Sequence, residues 1–286
     1  MGNIGIEISH RKSINYALSR NNVRTIQYIR LINDTEEDYG DVVLRMESSP
    51  EFATVKETVV SNFDTGAKIE VNSIDVEVNG DYLATITEKV VGNLLFSLVA
   101  KVKNEEGELE DKVIYEKTEV IEILPYNQWG GMAENPEYLA SFVMPNHSEV
   151  TNILPQCIKQ LEDWKQNPQI TGYLTQDKNV VKHQMAAAYE VLRKMGIAYA
   201  VGQASFEDVG QRIRTPDEVI SQKLGNCLDL STLYASILEA MGLNALIMLT
   251  KGHAYVGCWM EDFTFADCIE EDSTAINKRA ADGINE

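Results

Sequence analysis

The sequence lacks any apolar run approaching the roughly 18 residues that span a bilayer, and it lacks a basic segment followed by an apolar one at its N-terminus. No secretory signal is therefore visible, and we expect a cytoplasmic protein. The chain has 286 residues. That length is sufficient for two domains of ordinary size, each with its own hydrophobic core.

Positive charge is scarce. The chain carries 25 Lys and Arg residues against 44 Asp and Glu residues, a formal net charge of -19. A surface of this sign repels the phosphates of nucleic acid unless a local basic patch compensates. The nearest candidate patch is sparse and consists of Arg11, Lys12, Arg20 and Arg24. These charges argue against direct binding of nucleic acid by this chain.

Cysteine is also scarce, and no two cysteines form a CxxC pair. The four cysteines are Cys157, Cys227, Cys258 and Cys268. A chain of this size does not need disulfides for stability, and a cytosolic setting keeps thiols reduced. Cys227, His253, Cys258 and Cys268 follow each other at spacings of 26, 5 and 10, which match no common zinc module. We expect no metal and no cofactor, with a structural zinc site as the alternative.

The first part of the chain, to about residue 124, is typical of short strands. Stretches with β-branched residues and partial alternation occur at 42–47, 68–72, 82–87, 94–102 and 118–124, with turn signals between them. Strands spaced in this way predict an all-β sandwich of immunoglobulin-like size over residues 1–126. No cluster of titratable residues there points to chemistry, and the Pro- and Gly-containing stretch 125–131 is a candidate linker.

The second part changes to helical periodicity, which predicts an α+β domain over residues 127–286. We expect helices at about 148–164 (with Asn146 or Ser148 as its cap), 181–195, 216–224 and 227–241, and strands at 245–249 and 253–260. Residues 197–214 show little periodicity and are interpreted as irregular. Residues 261–283 are acidic and resemble an insertion, so we expect this domain to be cut short at its C-terminal end.

Two residues of this second domain form a candidate nucleophilic pair. Cys227 opens an apolar-faced helix behind Gly225, with Asn226 as its predicted cap, and His253 follows a tight turn at the head of a strand. The unsatisfied amides of a helix N-terminus favour a thiolate, and a neighbouring imidazole can act as general base and then general acid. This arrangement suits acyl transfer. The alternative is ordinary packing, because cysteine is often buried on amphipathic helices.

The stretches GNCLDLSTLYASILEAMGL (225–243) and GHAYV (252–256) resemble the core of the transglutaminase-like superfamily. The resemblance implies a papain-like α+β fold in which Cys227 is the nucleophile and His253 its partner. Members of the superfamily place an orienting aspartate on the strand after the histidine strand, for which Asp267 is the nearest candidate. Gln222, five residues before the cysteine, is a candidate oxyanion donor.

A narrower resemblance involves MPNH (144–147), GQRIRTPD (210–217) and KLGNCLDL (223–230). These stretches are similar to the N-terminal part of large bacterial helicase-like proteins, where a β-sandwich and a transglutaminase-like region precede helicase and nuclease domains. The implied partners are those C-terminal domains in the same full-length chain, together with a protein or peptide substrate. Defence against foreign DNA is the implied context.

These observations leave two functions open. The first is a cysteine hydrolase or protease domain that acts by acyl transfer through Cys227 and His253. The second is a catalytically degenerate transglutaminase-like module that binds or scaffolds for downstream nucleic-acid-processing domains.

Overall fold

The computed structural model describes residues 2–71, 76–133, 136–201 and 210–276. The chain divides into two compact units, Met1–Asn127 and Gln128–Glu286. Helices and strands are both abundant, which confirms the predicted mixed α+β class. Within the described ranges, no helix combines the length and the apolarity needed to cross a membrane.

The first unit is built mainly of strands in two sheets. Its elements are β1 (Ile4–His10), β2 (Ser13–Ile14), α1 (Tyr16–Arg20), β3 (Ile26–Asn33), β4 (Val42–Ser49), β5 (Lys56–Val60), β6 (Lys68–Val71), α2 (Gly80–Thr85), β7 (Val90–Lys103) and β8 (Leu109–Ile123). Strands β1, β3 and β6 form an antiparallel sheet, and a second sheet has the order β2-β8-β7-β4-β5, in which only β2 and β8 pair in parallel.

Both sheets of this unit contribute to one hydrophobic core. Alternate residues of β7, among them Leu94, Phe96 and Leu98, are buried, and Ile29 and Leu31 of β3 belong to the same cluster. Because successive side chains of a strand point to opposite faces, each sheet places one apolar face inward. The unit is therefore held together by burial of apolar surface between its two sheets.

The prediction of a strand at residues 82–87 is wrong, because residues 82–85 belong to helix α2. Asn79 caps the helix: its side-chain oxygen accepts a hydrogen bond of 3.0 Å from the backbone N–H of Tyr82. Leu83 is completely buried. One cap and one buried side chain thus override the strand preference of the alternating residues. Residue 72, the end of another predicted strand, lies outside the described residues.

The second unit combines helices with short strand pairs. Its elements are β9 (Gln128–Trp129), a 3-10 helix (Pro136–Phe142), α3 (Ser148–Asp163), α4 (Lys178–Lys194), β10 (Ala198–Tyr199), β11 (Gln211–Arg212), α5 (Pro216–Gln222), β12 (Leu224–Gly225), α6 (Cys227–Ala240), β13 (Ala245–Thr250) and β14 (His253–Cys258). Parallel β10 and β12, antiparallel β9 and β11, and antiparallel β13 and β14 form three two-stranded sheets.

Helix α6 is the central element of this unit. It contacts α3, α4, α5 and strands β12 to β14, and Leu233, Ile237 and Leu238 lie in the core cluster. Two of its buried hydroxyls bond within the helix: Thr232 donates to the carbonyl of Leu228 at 3.1 Å and Ser236 donates to the carbonyl of Thr232 at 2.6 Å. A helix buried on nearly every side is well suited to hold a terminal side chain in a fixed position.

Several predicted helix ends differ from the structure. Helix α3 is capped by His147, whose Nδ1 accepts from the backbone N–H of Glu149 at 3.2 Å, instead of by Asn146 or Ser148. It continues through Pro155, which is exposed. Helix α5 ends at Gln222, because Lys223 adopts a left-handed conformation with φ 51°.

Parts of two predicted stretches also differ. Residues 198–199 and 211–212 of the predicted irregular stretch form short strands, whereas residues 202–209 lie outside the described residues. Residues 277–286, which include the end of the predicted acidic insertion, also lie outside the described residues.

The central position of α6 predicts a large difference between two Leu→Ala substitutions in this unit. Leu238 is 0% exposed and Leu174 is 88% exposed. We expect Leu238→Ala to lower the free energy of unfolding by about 2–5 kcal/mol, because it leaves a cavity in the core. Leu174→Ala should change it by less than about 0.5 kcal/mol.

All three tryptophans of the chain (Trp129, Trp164 and Trp259) lie in the second unit. Urea unfolding followed by tryptophan fluorescence therefore reports on this unit. Equal losses of unfolding free energy in Leu238→Ala and Leu174→Ala would contradict the burial of α6.

Candidate active site

Cys227 is the first residue of helix α6 and is partly exposed. Asn226 is the cap, and its side-chain oxygen accepts a hydrogen bond of 3.0 Å from the backbone N–H of Asp229. Asp229 returns the contact, because its carboxylate accepts from the backbone N–H of Asn226 at 2.9 Å. This reciprocal capping box fixes the start of the helix. The thiol consequently lies at the end of the helix that carries the partial positive charge.

The carboxylate of Asp229 is fully buried and accepts two further hydrogen bonds. The backbone N–H of Arg214 donates to Oδ1 and the guanidinium Nη1 of Arg214 donates to Oδ2, each at 2.8 Å. The side chain of Arg214 is 32% exposed, against 0% for Asp229. Asp229 is thus engaged with Arg214 and with the helix start, and these contacts join the segment before α5 to the first turn of α6.

Gly225 lies tightly against this same first turn. A Cβ atom added at Gly225 would lie 3.3 Å from the side chain of Leu230 and 3.4 Å from that of Asp229. A side chain at this position would push the Leu230 and Asp229 side chains back by a few tenths of an ångström. The close approach brings β12 directly in front of Cys227.

Strand β10 places an additional residue at Cys227. Tyr199 pairs with Gly225 in parallel register, and the backbone N–H of Ala200 donates to the carbonyl of Gly225 at 2.8 Å. The Tyr199 hydroxyl interacts with both the sulfur and the backbone N–H of Cys227. The pKa of Tyr199 is raised above its usual value, mainly by desolvation and secondly by the nearby thiol of Cys227. Sequence reasoning missed Tyr199, because two paired residues have no detectable periodicity; the apolar run 197–201 is the signal that could have drawn attention to it.

His253 begins strand β14, which packs against α6 together with β13. Ala254 is buried, and Val256 and Cys258 pack against the core cluster, so these three residues define the inner face of the hairpin. His253 and Tyr255 are exposed on the alternate positions, and their rings stack with centroids 6.4 Å apart. The imidazole therefore projects from the face opposite the core. Within the described residues it shares no hydrogen bond with Cys227.

Asp267 and Gln222, the other two predicted site residues, are both exposed. Asp267 follows a cluster in which the rings of Trp259, Phe263 and Phe265 meet edge to face. In the described part of the chain no strand follows β14, so Asp267 does not lie on a strand. Among the described residues, Asp267 makes no hydrogen bond or ion pair with His253. The Gln222 side-chain oxygen accepts a hydrogen bond of 3.3 Å from Nε of Arg214.

The four cysteines are free and occupy different environments. Burial raises the pKa of Cys157 to about 12 and that of Cys258 to about 11. Cys268 is exposed. Over the described ranges, no three His, Cys, Asp or Glu side chains are grouped as a metal ion would require. Cys227 is thus a free thiol at the start of α6.

No family model, no curated protein and no solved structure matches this chain. The arrangement at Cys227 combines a partly exposed thiol, a helix start fixed by a capping box, and a neighbouring tyrosine hydroxyl.

The thiol environments predict a labelling pattern in the folded protein. A thiol with a pKa of about 11 is ionised in only about one molecule in a thousand at pH 8, and only the thiolate reacts. We expect iodoacetamide at pH 8 to modify Cys268 at least tenfold faster than Cys258 or Cys157.

Labelling of Cys258 should increase as the pH rises towards 11. Mass spectrometry of the digested protein assigns the modified sites, and urea-unfolded protein, in which all four cysteines should react alike, is the control. Equal rates for Cys258 and Cys268 in the folded protein would contradict the burial of Cys258.

Proposed function

We propose that the second unit is a transglutaminase-like cysteine hydrolase or protease domain that acts by acyl transfer through Cys227. The observation that carries this proposal is the placement of a partly exposed thiol as the first residue of a buried, reciprocally capped helix. Such a position supplies the partial positive charge of a helix N-terminus, which favours a thiolate.

The proposed reaction begins with attack of the Cys227 thiolate on the carbonyl carbon of an amide. The carbonyl oxygen takes the negative charge of the tetrahedral intermediate and is stabilised by the partial positive charge of the helix start. His253, which has taken the thiol proton of Cys227, gives that proton to the leaving amine as the C–N bond breaks, and a thioester remains on Cys227. Water, activated by the same imidazole, then hydrolyses the thioester and releases the acid. The substrate class that this chemistry implies is a protein or peptide.

The same proposal includes the finer fold assignment: an immunoglobulin-like sandwich followed by a papain-like core. Support comes from the two sheets that share a core in the first unit and from the packing of α6 on the β13-β14 hairpin in the second. The proposed setting is a bacterial cytoplasmic protein in which helicase and nuclease domains follow in the same chain.

A second function is favoured by the position of His253. Its ring lies on the hairpin face opposite the core and stacks on Tyr255, and Asp267 is exposed. A module that keeps the fold but has lost catalysis would tolerate this arrangement, and it would bind or scaffold for downstream domains. Catalytic hydrogen bonds are often long in unliganded proteins, so the position of His253 alone does not decide between the two functions. The reactivity of the Cys227 thiol does.

Thiol labelling of the unaltered chain and of His253→Ala separates the two functions. Under the acyl-transfer proposal, Cys227 should react with iodoacetamide at pH 7 at least tenfold faster than the exposed Cys268, because it lies at a helix N-terminus and has an imidazole partner. His253→Ala should slow Cys227 at least tenfold and leave Cys268 unchanged. Asp267→Asn, a substitution of an exposed side chain, should change the Cys227 rate less than about twofold.

Site assignment by mass spectrometry gives each rate separately. A Cys227 rate equal to or below that of Cys268 would count against catalysis. Full biological function of a Cys227→Ala full-length protein would establish the binding module instead.

A further inference from the structure

The most strongly bonded polar group near Cys227 is not one of the predicted site residues. It is the Asp229 carboxylate, which receives three hydrogen bonds of 2.8 to 2.9 Å from Arg214 and from the backbone of Asn226. A buried charge requires compensation of this kind, because water no longer solvates it. The contact partner Arg214 lies 15 residues earlier in the chain, so the contact is not a local helix cap.

This carboxylate lies in the same first turn as Cys227. Cys227 and Asp229 are two residues apart in this turn. A thiolate at Cys227 and a carboxylate at Asp229 would therefore place two negative charges at one helix terminus, and like charges there repel. The guanidinium of Arg214 neutralises the carboxylate at 2.8 Å. With the pair intact, the partial positive charge of the helix terminus remains available to the sulfur.

We propose that Arg214 is a positioning residue for Cys227: its ion pair with Asp229 cancels the charge beside the thiol and fixes the first turn of the helix that presents it. The inference rests on the proposed function only for the role of Cys227 as a nucleophile. The effect of the ion pair on the sulfur is a property of this chain whether or not Cys227 performs catalysis.

Other polar groups face this region from neighbouring elements. The Tyr199 hydroxyl of β10 contacts Cys227, and Gln222 of α5 accepts from Nε of Arg214. Glu218 of α5 receives the backbone N–H of Thr215 at 2.8 Å, and the exposed His253 heads β14. None of these side chains donates to Asp229, so Arg214 is the cation that balances this carboxylate among the described residues.

The test is the pH dependence of the rate at which iodoacetamide modifies Cys227 in the full chain, with Cys268 as the internal reference. Arg214→Gln should move the midpoint of the profile to higher pH and slow modification at pH 7 about three- to tenfold, because the carboxylate is left uncompensated. Asp229→Asn should move it to lower pH, because the guanidinium is left uncompensated. The double variant Arg214→Gln/Asp229→Asn should lie near the unaltered protein.

Two further variants serve as controls. Arg214→Lys keeps the positive charge and should keep the midpoint. Arg193→Gln removes a charge from the pair of the exposed Arg193 with Glu190 on α4 and should have no effect. Tryptophan fluorescence and circular dichroism establish that each variant is folded before its rate is measured.

Opposite shifts for the two single variants, with restoration in the double variant, support an electrostatic role that a merely structural residue would not produce. Shifts of the same sign, or no shift, overturn the inference even when Cys227 of the unaltered chain is highly reactive. Opposite shifts of the two single variants, in a chain whose unaltered Cys227 reacts no faster than Cys268, uphold the inference and remove support from the proposed catalysis. A Cys227 that reacts at no pH up to about 10 in the folded chain overturns both.

Discussion

Burial of the Asp229 carboxylate is the constraint on which the start of helix α6 depends. Its three donors come from the helix cap and from Arg214, a residue of the segment before α5. Because an isolated buried charge is strongly unfavourable, these contacts must form together, and with them the first turn of α6 is determined. The tight packing of Gly225 against the same turn brings β12 into place. Cys227 therefore projects from a helix end that is held from three directions.

The rest of the second unit supports this helix end. Helices α3 and α4 and the β13-β14 hairpin cover the apolar sides of α6, and the hydroxyls of Thr232 and Ser236 are satisfied within it. Rigidity of this kind suits a nucleophile, whose reacting atom must be held in a defined geometry. The histidine is placed differently, since it occupies the exposed face of the hairpin. Acyl transfer through this pair requires a conformation of the free chain in which the imidazole lies beside the thiol.

Local signals were sufficient to predict the helix around Cys227 and the strand that begins at His253. Asn226 and Asp229 form a capping box with a short sequence separation, and alternate burial along β14 follows from its residue order. Contacts between distant residues could not be predicted in this way. The Arg214–Asp229 pair and the pairing of Tyr199 with Gly225 depend on tertiary packing, and the strand predicted at residues 82–87 gave way to a helix capped by Asn79.

The central claim is that the anchored end of α6 presents Cys227 as an acyl acceptor. The most direct measurement is rapid mixing of the chain with p-nitrophenyl acetate, followed by mass analysis of the acylated peptide. The account predicts a burst of p-nitrophenolate stoichiometric with protein, a thioester on Cys227, and loss of the burst in Cys227→Ala. A burst that persists in Cys227→Ala, or acetyl groups found only on lysines, would contradict it.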